Sequence, residues 1–223
     1  MKPITVLLAD DHVIMREGLR ALLKPDAAFV IVGEAHDGRE AVKQTKQFQP
    51  AVVVMDIAMP LLNGLGATRQ IMSALPGTKV LILSAHSDDA YIDSALAAGA
   101  AGYIIKQTSA QTLAQAIKAV HAGGRFFCPY ITGRLREKAS GVKKGRSRKT
   151  VARLTPRELE VIQLVAEGQG NKGIGASLGI SIKTVEKHRQ HLMNKLQIHD
   201  TAGLTRYAIA KGIIESSRQV TIG

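Results

Sequence analysis

In the first half of the chain, short apolar runs alternate with longer stretches in which apolar residues recur every three or four positions. The runs Ile4 to Ala9, Phe29 to Val32, Ala51 to Asp56, Lys79 to Ser84 and Tyr103 to Ile105 read as strands. The stretches between them read as amphipathic helices. The first follows Asp11, which is placed to cap it, and carries Val13, Ile14, Leu19, Leu22 and Leu23. The others run over Gly38 to Phe48, Asn63 to Met72, about Asp88 to Ala98, and Thr112 to Ala122. Five strand-helix units in a row predict an α/β domain built on a five-stranded, doubly wound parallel sheet with helices on both faces. Ala51-Val52-Val53-Val54-Met55 is apolar throughout, so it reads as a central strand buried on both sides.

The pattern changes after Ala122. From Gly133 to Arg153 nine Lys or Arg stand against Glu137 alone, with Gly and Ser between them, the composition of a flexible, self-repelling tether. Order resumes at Leu154. Thr155-Pro156-Arg157-Glu158 is a capping box with Pro at the first helical position, and its helix carries Leu159, Val161, Ile162, Leu164 and Val165 before Gly168 stops it. A second helix is expected from about Asn171 to Leu178, a turn at Gly179-Ile180, and a third helix capped by Ser181 and reaching about Leu196. A short helix, a Gly-containing turn and a longer helix form a helix-turn-helix pattern, so the second domain is expected to be all-α. On the third helix Val185, Leu192 and Leu196 mark the buried side, while Lys183, Thr184, Lys187 and His191 recur opposite. Gly170, Gly173 and Gly175 crowd the second helix, and each interior glycine costs about 1 kcal/mol relative to Ala. Close helix packing is a use for Gly175; the other two have none that the sequence shows.

Charge sharpens the division. Residues 1–132 carry 12 Lys and Arg against 11 Asp and Glu, whereas residues 133–223 carry 18 against 7 and hold nearly all of the +12 net charge. A basic second half points to a polyanion partner, nucleic acid first and an acidic membrane surface second. With four Phe, four Tyr and no Trp, there is little to stack on single-stranded bases, which favours duplex DNA. The one cysteine, Cys128, excludes an internal disulfide framework and fits a reducing cytoplasm; after Phe126-Phe127 it reads as a buried thiol. No signal-type N-terminal run and no apolar run near ~20 residues occurs, so an unexported cytoplasmic protein is expected, without a membrane partner.

The candidate chemistry lies where the strands end. Asp10 and Asp11 close the first strand, Asp56 the third, Ser84 the fourth and Lys106 the fifth, which puts all five on the carboxyl rim of one sheet, where such folds bind ligands. Each alone could be a cap, a strand stop or a solvated charge. Together they form an acid cluster, a hydroxyl and a cation in one crevice. Clustered carboxylates need a counter-charge, and an oxygen-rich site suits Mg²⁺. A phosphoryl group could then be held between the metal, the Ser84 hydroxyl and the Lys106 ammonium, with Asp56 as acceptor nucleophile.

At these residues the chain resembles a known family. The acidic pair, Asp56 in "VVVMDIAMP" followed by Asn63-Gly64, Ser84-Ala85, and Tyr103 three positions before Lys106 resemble the receiver domain of a two-component response regulator. "LTPRELEVIQLVAEG", Asn171-Lys172, "SIKTVEKH" and Lys195-Leu196 resemble the LuxR-type DNA-binding domain. The combination is that of the NarL/FixJ family. The resemblance implies that Asp56 accepts phosphate from a sensor histidine kinase and that Asp10, Asp11, Asp56 and the Ala58 backbone carbonyl hold Mg²⁺. It also implies that Ser84 and Tyr103 switch together and that Lys172, Lys183, Thr184, Lys187, His188 and His191 face DNA. A last helix, about Ala202 to Ile213, would pair two DNA-bound domains into a homodimer. The implied division is residues 1–122 receiver, 123–153 linker and 154–223 DNA-binding domain.

Several readings compete. Residues 133–153 could contact DNA phosphates by counterion release or serve only as a tether. An aspartate-dependent phosphohydrolase would use Asp56 with a second acid two positions on, and Ala58 stands there. A constitutive DNA-binding protein with an inert first domain would have no need of the intact acid cluster. Gly168-Gln169-Gly170-Asn171-Lys172-Gly173 fits G-x-G-x-x-G but follows a helix, so it is not a dinucleotide fingerprint. The seven His show no metal-ligand spacing. Ala58 and His86, two positions after Asp56 and Ser84, stand where water reaches the acyl phosphate in receivers, so any water-positioning falls to His86.

Overall fold

A computed structural model describes residues 2–85, 89–127, 132–133 and 154–214. The first domain is a single sheet in the order β2-β1-β3-β4-β5-β6. Its strands are β1 (Ile4–Ala9), β2 (Phe29–Ala35), β3 (Val52–Asp56), β4 (Lys79–Ser84), β5 (Gly102–Ile105) and β6 (Phe126–Phe127), and every neighbouring pair is parallel. Alternate residues serve opposite faces. Leu7, Ala9, Val53, Met55 and Ile82 enter one apolar cluster, and Val6, Leu8, Val52, Val54, Leu81 and Leu83 enter the other. Burial on both faces explains why the strand sequences are apolar without alternation.

The helices α1 (Val13–Leu23), α2 (Gly38–Phe48), α3 (Gly64–Ala74), α4 (Asp89–Ala98) and α5 (Ala110–His121) connect the strands. In the first cluster lie Ala41 and Val42 of α2, Ile71 of α3 and Ile92 of α4; in the second lie Leu19 and Leu23 of α1 and Ile117 of α5. Because β1 lies between β2 and β3, the chain leaves it in opposite directions, and a crevice opens at the carboxyl ends of β1 and β3.

Four expectations are corrected. The sheet has six strands, because Phe126-Phe127, too short to show any period, adds to the edge beside Gly102 and Tyr103. The α1 cap position is His12, with no side-chain cap, so Asp11 does not cap that helix. Val13, Ile14 and Leu22 face solvent, and only Leu19 and Leu23 of that helix's expected apolar set are buried. Ser109 caps α5 by accepting the Thr112 N–H, so the helix starts at Ala110, two residues before Thr112.

The second domain has α6 (Pro156–Ala166), α7 (Asn171–Leu178), α8 (Ile182–Leu196) and α9 (Thr201–Ala210), so the last helix is shorter than expected and is capped by Asp200. The capping box forms as the sequence predicts: Thr155 Oγ1 accepts the Glu158 N–H at 3.3 Å, and Glu158 Oε2 accepts the Thr155 N–H at 2.7 Å. The same Glu158 oxygen receives Lys195 Nζ at 2.8 Å, which ties the end of α8 to the start of α6. Gly170 is the N-cap of α7 rather than an interior position, which removes one of the three supposed helix penalties. A Cβ on Gly175 would stand 2.9 Å from the Ile180 carbonyl oxygen, so here the turn of the motif comes too close for a side chain. Gly173 is exposed, and nothing in the structure explains it. Among the described residues no helix is long and apolar enough to cross a membrane. Cys128, residues 134–153 and His86 lie outside the described residues.

Candidate functional site

The expected rim residues meet at the crevice between β1 and β3. Asp10 follows β1 and Asp56 ends β3, and both are buried. Lys106, just past β5, reaches across them: its Nζ lies 2.9 Å from Asp10 Oδ2 and 3.1 Å from Asp56 Oδ2. Apart from Lys106 these two oxygens have no partner among the described residues. Asp56 Oδ1 accepts the Ile57 N–H at 2.8 Å, which orients the carboxylate. The Lys106 backbone N–H donates to the Ser84 carbonyl at 2.8 Å, fixing the rim of β5 to that of β4, where Ser84 is buried. Tyr103 is also buried, in the apolar cluster on the α2-α3-α4 side of the sheet.

Burial, and after it the crowding of like charges, shows in the titration of the site. Burial pushes the Asp56 carboxyl up to about 6; Lys106 opposes the rise, and Asp10 and Asp11 add to it. Burial alone would lower the Lys106 ammonium, but Asp56 and Asp10 outweigh it and hold the group above its ordinary value. A site that raises one carboxyl this far, with two buried oxygens served by a single lysine, has room for more positive charge. Ligand atoms of Asp10, Asp11, His12 and Asp56 lie within 4.8 Å of one another, consistent with a divalent-metal site. His12 was not picked out by sequence reasoning; its Nδ1 is 3.2 Å from Asp10 Oδ1 and 3.1 Å from Asp11 Oδ1. Its position beside the acidic pair was the available signal.

The loop from β3 to α3 brings Ala58, nearly buried, past this crevice. Gly64 closes the loop: its N–H donates to the Ile57 carbonyl at 2.8 Å, and a Cβ there would collide with the Asp56 carbonyl oxygen. That close approach is the physical reason for glycine after Asn63, whose Oδ1 caps α3 by accepting the Gly66 N–H at 2.8 Å.

In the second domain Ser181 caps α8, its Oγ accepting the Thr184 N–H at 3.1 Å. Lys183, Lys187 and His191 are exposed, as is Lys172 on α7, while Thr184 and His188 are half-buried. Arg189 Nη1 donates to Asn171 Oδ1 at 2.7 Å and holds α8 to the start of α7. The first domain meets α6, the end of α7 and the segment after α9. The exposed cations of α8 therefore face outward beside the first turn of a helix whose N–H groups attract anions.

A parallel α/β domain with an acidic crevice, joined to a basic helix-turn-helix domain, defines a signal-receiving DNA-binding protein. Residues 6–118 match the response regulator receiver domain, and residues 152–208 match the bacterial regulatory proteins of the luxR family. The chain is 35% identical over 225 residues to the transcriptional regulatory protein DegU of Brevibacillus brevis, covering 95% of each. It is similar to the RcsB response regulator of Salmonella typhimurium, solved in a study of its conformational dynamism for DNA interaction (28% identity, 95% of this chain and 99% of the other, TM-score 0.64). It is also similar to RcsB in a structure of two dimers bound to two parallel DNAs (25% identity, 92% and 98%, TM-score 0.57). The chain belongs to the LuxR/NarL family of two-component response regulators, which are transcription factors and not enzymes. A receiver implies a kinase partner, and the helix-turn-helix implies DNA.

Proposed function

We propose that this chain is a phosphorylation-switched transcription regulator in which Asp56 accepts a phosphoryl group from a sensor histidine kinase and the second domain binds duplex DNA as a dimer. The observation that carries the reading is the Lys106 ammonium set between the Asp10 and Asp56 carboxylates at the carboxyl end of the sheet. Asp10, Asp11, Asp56 and the Ala58 backbone carbonyl would hold Mg²⁺, which when bound neutralises phosphoryl oxygens. An ionised Asp56 oxygen bonds phosphorus as the donor's bond to phosphorus breaks, and Lys106 turns from the carboxylates to the new phosphoryl oxygens. The Ser84 hydroxyl donates to the same group, and Tyr103 follows Ser84, altering the face made by α4, β5 and α5. His86 is the candidate for positioning the water that resets the switch.

On the DNA side, Lys183, Thr184 and Lys187 would enter the major groove at the N-terminal end of α8, with Lys172, His188 and His191 flanking them. RcsB binds DNA as dimers; for this chain α9 is the proposed pairing element, with half-sites about one helical turn, ~10 bp, apart. The proposed division is residues 1–122, 123–153 and 154–223, with the first boundary moved past β6, since Phe126-Phe127 pair with β5, and the basic middle segment adds phosphate contacts without sequence preference. Binding to genomic DNA fragments should be compared for the untreated protein, the protein treated with a small acyl phosphate, and the same pair for Asp56→Asn and Lys106→Ala. Treatment should change binding in the parent alone. Acid-labile phosphate on Asp56→Asn, or an unaltered response in Lys106→Ala, would refute the assigned roles.

A further inference from the structure

Val161, Ile162, Leu164 and Val165, which flank Gln163 along α6, are all buried. Gln163 is itself only 1% exposed, and a buried amide there is tolerated only if its bonds are made. Two of its partners lie in the other domain, on the loop that follows Asp56. Gln163 Nε2 donates to the Met59 carbonyl at 3.0 Å, and Gln163 Oε1 accepts the Asn63 N–H at 2.9 Å. Its remaining amide proton goes to Glu167 Oε1 at 2.8 Å. Between the two bonded loop residues, Leu61 adopts φ +64 and packs its side chain into the apolar cluster of the DNA-binding domain. Asn63 Nδ2 adds a bond to the Ile213 carbonyl at 3.0 Å.

We propose that Gln163, a residue of the DNA-binding domain, is a positioning residue for the phosphorylation site of the receiver. The Met59–Pro60 peptide has no N–H, so the Met59 carbonyl is its one polar group, and Gln163 is the side chain that fixes it. The preceding Ala58–Met59 peptide carries the Ala58 carbonyl and is held by the Met59 N–H to the Ile57 carbonyl at 3.1 Å. Two consecutive peptide planes beside Asp56 are thus set, one from inside the loop and one from the other domain. If Gln163 is replaced, the Met59 carbonyl turns to find another partner and the plane bearing the Ala58 carbonyl turns with it. Binding of Mg²⁺ then depends on the DNA-binding domain and, by reciprocity, whatever loads the receiver acts on the docking of the two domains. The dependence on Mg²⁺ rests on the metal reading given above.

Full-length Gln163→Met keeps the side-chain volume and removes the two bonds to the loop together with the one to Glu167; Gln163→Glu keeps the acceptor for Asn63 and removes the donor to Met59 and Glu167. Gln70→Ala serves as the control, since it removes only the Gln70–Glu160 bond at 3.0 Å on the exposed rim where the same two domains meet. Mg²⁺ affinity is read by calorimetry, and amide exchange over residues 57–66 by mass spectrometry. Both Gln163 variants should bind Mg²⁺ about fivefold more weakly, the factor that corresponds to one net hydrogen bond. Gln163→Met should also expose the Asn63 amide to exchange, whereas Gln70→Ala should do neither. A purely structural Gln163 would lower the melting temperature of its own domain and leave the receiver's Mg²⁺ affinity untouched, which would overturn the proposal. An equal weakening in Gln70→Ala would overturn it as well, by making domain docking in general responsible. A parent protein that binds no Mg²⁺ would refute the metal reading with this consequence of it, and unchanged Asn63 exchange would refute the positioning itself.

Discussion

Replacing Asp56 with Asn should stabilise the receiver at neutral pH and leave its stability nearly unchanged at about pH 4. The carboxyl is 2% exposed and its pKa is raised to about 6, from an ordinary value near 3.9 in an unfolded chain. The folded state therefore holds this proton more tightly than the unfolded state does. Its contribution to stability is full below the unfolded value and is lost as pH rises through the folded one. Two units at ~1.4 kcal/mol each give about 3 kcal/mol of destabilisation above pH 6. Asn removes that cost while keeping the shape and an oxygen to accept the Ile57 N–H, and Lys106 retains Asp10. For a domain of this size the gain corresponds to a rise in melting temperature on the order of 10 °C. Calorimetric melts of parent and variant, without Mg²⁺ and at a series of pH values from 4 to 8, read the difference directly, because groups common to both proteins cancel. Equal melting at pH 7.5, or a difference that persists undiminished at pH 4, would refute the reasoning.

The two α7 glycines should respond oppositely to alanine. Gly173→Ala, with only the Gln169 side chain near the new methyl at 3.5 Å, should stabilise the DNA-binding domain by about 1 kcal/mol. Gly175→Ala should destabilise it by about 1–3 kcal/mol through the clash with the Ile180 carbonyl; chemical denaturation of the two variants checks the sign of each. Lys183→Ala and Lys187→Ala should each weaken binding to a specific duplex site by about 1–3 kcal/mol and to random duplex by less, as loss of a base-edge contact does. Fluorescence anisotropy with both duplexes measures the two losses, and an equal loss on both would make that lysine a phosphate contact.

Much of the site was legible because strand ends can be read from sequence. An apolar run that stops at Asp10, Asp56 or Ser84 must stop at the same rim when all its neighbours are parallel, so the residues that end strands converge without any tertiary information. The caps Thr155 and Ser181 were equally legible, since a cap acts within three residues of itself. The α1 helix shows where such reading fails. Val13 and Ile14 have the spacing of a core face, yet Ile14 is 85% exposed, because periodicity reports that a helix is amphipathic and not what covers it. Phe126-Phe127 was missed because two residues have no period.

The sequence by itself determined the elements apart from β6, their order, the acid cluster at the rim and the basic helix-turn-helix, all of which depend on local propensity, on periods of a few residues and on composition. Only the tertiary structure decided that the Lys106 ammonium lies between Asp10 and Asp56, and that burial raises the Asp56 pKa in spite of that cation. It alone decided that Gln163 grips the loop after Asp56, 104 residues away from Met59 in the chain. Distances and burial arise where segments far apart in the chain meet, and an amide in an apolar helix gives no local sign of the partner it will find.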